Sequence, residues 1–448
     1  MNMIPVMAFA IASALAIPVY ASDSMNTHSQ TEVPDSSQSH KAARLWLQNR
    51  IAQTPQVKAA SAQKNSRALW SQAATQPLYN PELQTRLEQE GSSNNYALEI
   101  SQKIDWWNQR EARSQQQQLL QQQAEQQYQQ SLQQTTADAL AAIVRYQSAQ
   151  QRDQLMQRLQ QQQQTLTQLI QQRRRLGDLS ALDAELALLA QSSLLADIAA
   201  SQAELSAVAA QLSSLLPDWQ QQPQYLSALI QQLDNSAQQL PAQPLNNAQL
   251  KQLALSHPQS ESARLFWLAE QQRAQQSRDS LRAEPTIGIS AGRSGEEDVL
   301  GLALSLPLNV RSSYRQAAAA ADGETLQAEA EFYASLQQQQ QQLRASHSRV
   351  LAYRRQVEQW HALMPDGGQR SAQLLQQQWS NGDLSTSAYI QASAQWAASL
   401  QAGIELTGDY RQAQIQWLSD SQTIRSFLSA ANTNSQNAAT GSNSRISE

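Results

Sequence analysis

Five histidines, His28, His40, His257, His347 and His361, are the chain's only imidazoles. None stands at ligand spacing from acidic residues, so the sequence offers no recognisable zinc-type site. There is no cysteine, which excludes a disulfide framework, a thiolate metal site and a cysteine nucleophile. No Ser/His/Asp set, glycine-rich phosphate loop or paired carboxylate in a predicted cleft is present. The expectation is a protein that is not an enzyme and holds no cofactor or metal. The residues whose spacing does carry chemistry are of another kind. Leu300, Leu302, Leu304, Leu306 and Leu308 alternate strictly with small or polar residues, a period-two apolar stripe. Gly177-Asp178-Leu179-Ser180 recurs as Gly382-Asp383-Leu384-Ser385, 205 residues later. Arg173, Arg174 and Arg175 precede the first copy, with Leu176 between.

The elements that must position these residues follow from composition. Only 15% of the 448 residues are charged, against roughly 25% in an average soluble protein. The polarity comes instead from about 80 glutamines. Thirteen glycines and 14 prolines are few breakers for this length. Glutamine and alanine favour long helices, and a disordered Gln-rich tract is the alternative. A net charge of −5 excludes a generally basic, nucleic-acid-coating protein. Met1 to Ala21 reads as a secretory signal peptide, with an apolar run from Ile4 to Val19 and a small-residue cleavage site at Val19-Tyr20-Ala21. It lacks a basic start, and a buried N-terminal helix is the alternative. The apolar run is shorter than the roughly 20 residues of a spanning helix. No later segment reaches 18 apolar residues, so a further membrane element would have to be built of β-strands.

Residues 22–40 are polar and read as disordered. A helix is expected from about His40 to Gln76. Trp106 to Arg175 contains neither Pro nor Gly and predicts one helix about 100 Å long. A lone helix of that length gains too little stability, so it must pack in a coiled coil or helical array. Gly177 stops it, and a second helix is expected from Ala181 to Leu216. Residues 217–247, with four prolines, read as an irregular connector with room for one short helix. Further helices are expected over 248–283, 313–364 (resuming to Trp379 after Pro365-Asp366-Gly367-Gly368) and 386–430. Residues 431–448 read as a disordered tail.

Strands are expected at about 81–90, 95–104, 285–293 and 299–309, forming two hairpins. In the first, Leu83, Thr85 and Leu87 alternate with Gln84, Arg86 and Glu88, and Tyr96, Leu98 and Ile100 follow after a loop at Gly91–Asn95. In the second, Ile287, Ile289 and Ala291 precede a loop at Ser294–Asp298 and the leucine stripe. Strands of this length with one apolar face match a membrane β-barrel, and equally suit hairpins packing a leucine face on a helix. Four strands cannot close such a barrel, so the barrel reading requires several copies. Leu98–Ile104 aligns with Leu302–Leu308 at an offset of 204, and the distances from hairpin to glycine turn, Ile104 to Gly177 and Leu308 to Gly382, are 73 and 74 residues. The chain therefore reads as two structural repeats, 41–247 and 248–430, each a helix, a hairpin, a long helix, a glycine turn and a helix.

In the segments Leu98–Arg113, Leu176–Ala190, Leu302–Ala321 and Trp379–Ala394 the sequence resembles the TolC-like outer-membrane efflux proteins, and most of all the outer-membrane components of heavy-metal efflux systems. The resemblance spans about residues 40–430. It implies a mainly α fold with a small β part. Three subunits would each give four strands to a shared 12-stranded outer-membrane barrel, with lipid facing Leu300, Leu302, Leu304, Leu306 and Leu308. The long antiparallel helices would continue it as a trimeric α-barrel across the periplasm of a Gram-negative bacterium. Gly177, Asp178, Gly382 and Asp383 become the periplasmic tips. Asp183 matches an acidic position that helps hold the aperture shut, although a helix-start carboxylate has an ordinary role near a helix N-terminus. Trp379 stands where a Tyr commonly bonds across to it. Ala388 and Gln391 replace the acids of the second repeat, which puts a charged cation gate in doubt. Arg173, Arg174 and Arg175 are candidates for docking a periplasmic adaptor, or an ordinary basic turn at a helix C-terminus. The implied function is a passive exit duct for metal ions or small toxic compounds. Its implied partners are that adaptor and an inner-membrane transporter, of the proton-driven resistance-nodulation-division type, with no nucleic acid. A secreted or periplasmic Gln-rich coiled-coil scaffold is the alternative.

Overall fold

The computed structural model describes residues 36–91, 93–175, 181–236, 240, 243–308 and 313–429. The signal peptide, the tail 431–448 and the Gly177-Asp178 turn lie outside the described residues. Helices α1 (Ser36–Gln53) and α2 (Pro55–Ala74) lead into strands β1 (Glu82–Glu90) and β2 (Ser93–Lys103). Then come α3 (Gln109–Arg175), α4 (Ala181–Leu215), a 3-10 turn at Trp219–Gln221 and α5 (Pro223–Ser236). The second half runs α6 (Asn247–Ser256), α7 (Pro258–Asp279), β3 (Thr286–Ser294), β4 (Glu297–Ser305) and α8 (Ser313–Leu363). It finishes with α9 (Gln369–Ser380), α10 (Thr386–Asp420) and α11 (Ile424–Ser429).

The 67-residue α3 is the spine. It packs against α2 and α7 in the half nearer the strands and against α4 and α10 towards its C-terminus. Its buried positions, Leu140, Ile143, Val144, Leu155, Met156, Leu166 and Ile170, form a thin seam, while most of its glutamines keep contact with solvent. A helix needs only such a stripe to dock on its neighbours, and the rest of the circumference can stay wet. The largest apolar cluster lies midway along the spine. Leu47 and Ile51 of α1, Ile143 of α3, Leu212 and the following Leu216, and Leu229 and Leu233 of α5 meet there with Ile424. A second cluster joins Leu250, Leu343, Val350 and Trp417 across α6, α8 and α10.

Several elements differ from expectation, and prolines or glycines explain most of them. The helix expected over 40–76 is two helices, because Thr54 is extended (φ −63°, ψ 144°) and Pro55 opens α2. Proline suits a first helical turn and cannot continue the previous one. The arm expected over 248–283 breaks in the same way at His257-Pro258. Pro258 lies 203 residues beyond Pro55, close to the offset of the other landmarks. Residues 36–40, expected within a disordered segment, begin α1, and the His40 ring contacts Gln231 at 3.2 Å. The short helix expected in the connector 217–247 is α5, and its apolar side fills the central cluster. The last helix is interrupted at Ser421–Thr423, where Gln422 has φ 64°.

The four strands form one antiparallel sheet in the order β1-β2-β3-β4. Both hairpins turn more tightly than expected. Glu90 pairs with Ser93 across Gly91 (φ 62°), and Ser294 pairs with Glu297 across Gly295 (φ 63°). Positive φ at the first turn residue is the geometry that matches strand twist, and glycine adopts it without strain. The strand expected to reach 309 ends at Ser305, so Leu306 and Leu308 lie beyond the ladder and Pro307 is not a strand residue. Proline has no N–H for the ladder, and it biases its predecessor away from helix.

Candidate functional site

The register sorts the sheet into two chemically distinct faces. Directly paired residues project to the same side. One row reads Leu83, Ile100, Ile289, Leu302, and the next reads Thr85, Leu98, Ala291, Leu300. Gln102, Ile287 and Leu304 continue that face. The opposite face reads Gln84, Glu99, Ser290, Gly301 and Glu82, Ser101, Gly288, Ala303. Among the described residues no helix covers the apolar face: Leu300 is 85% exposed and Leu302 is 87% exposed. Leu304, Leu306, Leu308, Leu83, Ile100 and Ile289 are also exposed. Leaving a large aliphatic side chain in water forgoes about 1.5–3 kcal/mol. A face of this size is a binding surface for something apolar. Among the described residues both edges of the sheet, β1 and β4, are unpaired.

A polar cluster ties the sheet to the helices. Glu284, just before β3, is buried. Its carboxylate accepts from Gln109 Nε2 (2.9 Å) and Tyr79 Oη, and Lys103 Nζ lies 3.0 Å away. Lys103 also sits 4.2 Å from the Tyr79 ring centre. Burial, together with the bond to Glu284, raises the Tyr79 pKa above its ordinary value. Asp105 caps the start of α3 by accepting from the backbone N–H groups of Gln109 (2.7 Å) and Arg110 (2.9 Å).

At the far end, the turn between α9 and α10 is fully described. Gly382 has φ 84°. Its N–H donates to Trp379 O (3.2 Å), and that of Asp383 donates to Gln378 O (2.9 Å). This pair of bonds is a Schellman cap, which requires the left-handed residue. Ser385 then caps α10 by accepting from Ala388 N–H (3.2 Å). Trp379 is buried and stacks on Tyr389 (4.8 Å between centroids, 18° between planes). Its indole N–H donates to Thr386 Oγ1 (3.3 Å). Leu166 and Ile170 of α3 complete the cluster. Among residues 371–404 Asp383 is the only charged one.

No protein-family profile matches the chain, and no curated protein matches it by sequence. Solved structures do match. The outer-membrane channel OprN is similar with a TM-score of 0.69 at 14% identity, over 86% of this chain and 91% of the other. The Campylobacter jejuni outer-membrane channel CmeC gives 0.69 at 10% identity, over 97% and 98%. CusC, a protein that forms a transmembrane channel, gives 0.66 at 12% identity, over 90% and 98%. The chain shares the fold of these three structures.

On this fold the site residues separate by position. Trp379, Gly382, Asp383, Ala388 and Gln391 lie together at one helical end, with Asp383 and Gln391 exposed and Ala388 half-buried. Gly177, Asp178 and the side chains of Asp183 and Arg173 fall outside the described residues, so the contact between Asp183 and Trp379 is not part of the described structure. Arg174 reaches Glu185 of α4 at 4.0 Å with both side chains exposed, an ion pair worth little by itself, and Arg175 is exposed. The leucine stripe lies at the other end. No group of three His, Asp or Glu residues among the described residues could hold a metal.

Three features were missed from sequence. Tyr389 and Thr386 pack on Trp379 across the glycine turn, ten and seven residues away. The Glu284 cluster draws on residues 205 and 175 positions apart, which no local pattern signals. His257 caps α7, accepting from Gln259 N–H (3.3 Å) through Nδ1, and burial pulls its pKa down to about 4.

Proposed function

We propose that the protein is a passive outer-membrane exit duct of a tripartite efflux pump, built from three copies. The exposed leucine face on an open-edged sheet carries this reading. Strands of 9 and 11 residues are the length that crosses a bilayer when tilted. Each chain contributes an even number of strands, so β4 of one copy meets β1 of the next antiparallel and the closed barrel has no edges. In that arrangement Leu300, Leu302 and Leu304 face lipid, with Leu306 and Leu308 just below. The small and polar residues opposite them line water. The helices continue the barrel into the periplasm as a hollow tube wet on both faces, which suits glutamine.

The tips around Gly177, Asp178, Asp183, Trp379, Gly382 and Asp383 form the aperture. The turn carrying Arg173, Arg174 and Arg175 is the docking site for a periplasmic adaptor, itself coupled to an inner-membrane transporter of the resistance-nodulation-division type. Metal ions or small toxic compounds are the cargo. The scaffold alternative needs the leucine face packed on a helix, and that face is open. Fractionation tests the reading. The duct is recovered from the outer membrane as a heat-modifiable trimer, and deleting its gene sensitises cells to the cargo of the partner pump. Recovery as a soluble periplasmic protein would refute it.

A further inference from the structure

The junction between sheet and helices carries a second surface feature that the duct reading does not use. Trp106 is 65% exposed, and Trp107, Leu308 and Tyr314 beside the same strand ends are exposed as well. Trp107 is fixed in place: its indole N–H donates to Ala283 O (2.9 Å), and the Arg282 guanidinium lies 4.7 Å over its ring. Ile104 N–H donates to Pro285 O (2.9 Å), so the exit of β2 and the entrance of β3 are held at one level. Around this level stand Arg110 and Arg113 in the first turns of α3, Arg282 after α7 and Arg315 in the first turn of α8.

Of the nearby carboxylates, only Asp279 pairs with an arginine of the collar. Asp105 caps α3, Glu111 accepts from Asn108 and Gln115, and Glu284 is taken by Lys103, Gln109 and Tyr79. Asp279 reaches Arg282 at 3.9 Å. Among the described residues, no carboxylate lies within ion-pair distance of Arg110, Arg113 or Arg315. The collar is therefore aromatic and cationic, and it continues directly from the leucine face.

We propose that this collar binds the headgroups of anionic phospholipids in the leaflet facing the helices. The inference rests on the duct reading, which puts the leucine face in lipid. Tryptophan and tyrosine rings sit at the boundary between acyl chains and headgroups. Arginine guanidinium groups donate paired hydrogen bonds to phosphate oxygens, and each basic residue near an anionic surface adds to the attraction. A neutral, zwitterionic headgroup leaves Arg110, Arg113 and Arg315 without a net counter-charge.

The test uses the full chain reconstituted in vesicles of dioleoyl-phosphatidylcholine with or without phosphatidylglycerol. Quenching of tryptophan emission by brominated phosphatidylcholine reports insertion. Native mass spectrometry of the detergent-extracted protein reports retained lipid. The wild-type protein should insert and retain phosphatidylglycerol over phosphatidylcholine by on the order of tenfold. The quadruple variant R110Q/R113Q/R282Q/R315Q should insert and lose that preference, and the corresponding Lys variant should keep most of it. Insertion without headgroup preference, or a preference the Gln variant retains, overturns the lipid proposal and leaves the duct standing. Absence of quenching in wild type overturns the duct reading and this proposal with it.

Discussion

Replacing Leu302 with arginine separates a lipid-facing strand from an ordinary hairpin. Leu302 is the sixth of nine residues in β4 and pairs with Ile289 at the centre of the apolar face. Nine residues at about 3.4 Å each, tilted by about 40°, span close to the ~25 Å apolar band of an outer-membrane barrel. Leu302 then lies near mid-depth, where an arginine costs about 2–4 kcal/mol per copy. That is roughly a 30- to 1,000-fold shift in the folding equilibrium at each subunit. The neighbouring Ala303 faces the other way, opposite Gly288, so Ala303→Arg enters water and should cost less than about 1 kcal/mol. Leu306 lies past the end of the ladder, and Leu306→Arg should cost about 0–1 kcal/mol. Urea titration of the vesicle-folded protein, followed by tryptophan emission and by heat-modifiable mobility, gives the three values. Equal costs at 302 and 303, or an L302R chain that stays folded and soluble without lipid, would refute the face assignment.

Gly403→Ala should destabilise the protein by about 1–3 kcal/mol, because its Cβ would stand 2.1 Å from Trp360 Cζ2; chemical denaturation measures it, and an unchanged midpoint would contradict the close packing of α8 on α10. His257 is held neutral in the fold while an unfolded chain protonates it below about pH 6.5. Its contribution to stability should therefore fall by about 3 kcal/mol between pH 6.5 and pH 4 and level off below that, and the difference between wild type and His257→Gln across that window isolates it from the carboxylates. Ala388→Glu with Gln391→Glu places carboxylates at a tip whose only charge among residues 371–404 is Asp383, and should raise cation selectivity in planar bilayers; unchanged selectivity would remove these positions from the aperture.

What the sequence could and could not reveal follows from the range of each interaction. Period-two leucines and a breaker-free stretch of about 70 residues are local signals, and they appear as β4 and α3 with only terminal shifts. Pro55 and Pro258 were just as local and were overlooked, although their 203-residue separation marks the same junction in each half. The Glu284 cluster and the stacking of Trp379 on Tyr389 arise from chain crossings, so only coordinates reveal them. That Ala388 and Gln391 stand where acids are expected came from the family resemblance alone, since neither composition nor periodicity marks those two positions.

The chain's lack of cysteine allows its central claim, closure of one barrel by three copies, to be tested directly. Within one chain β1 and β4 are separated by β2 and β3, about 14 Å at ordinary strand spacing, beyond the roughly 7 Å limit for a disulfide. Thr85→Cys on β1 combined with single cysteines scanned along residues 298–304 of β4 can therefore bridge only between copies. Oxidation in the membrane should give, at the matching register, a ladder of dimer and covalent trimer with nothing larger. No cross-linked product at any register, or an open series beyond three copies, would contradict the closed three-copy barrel.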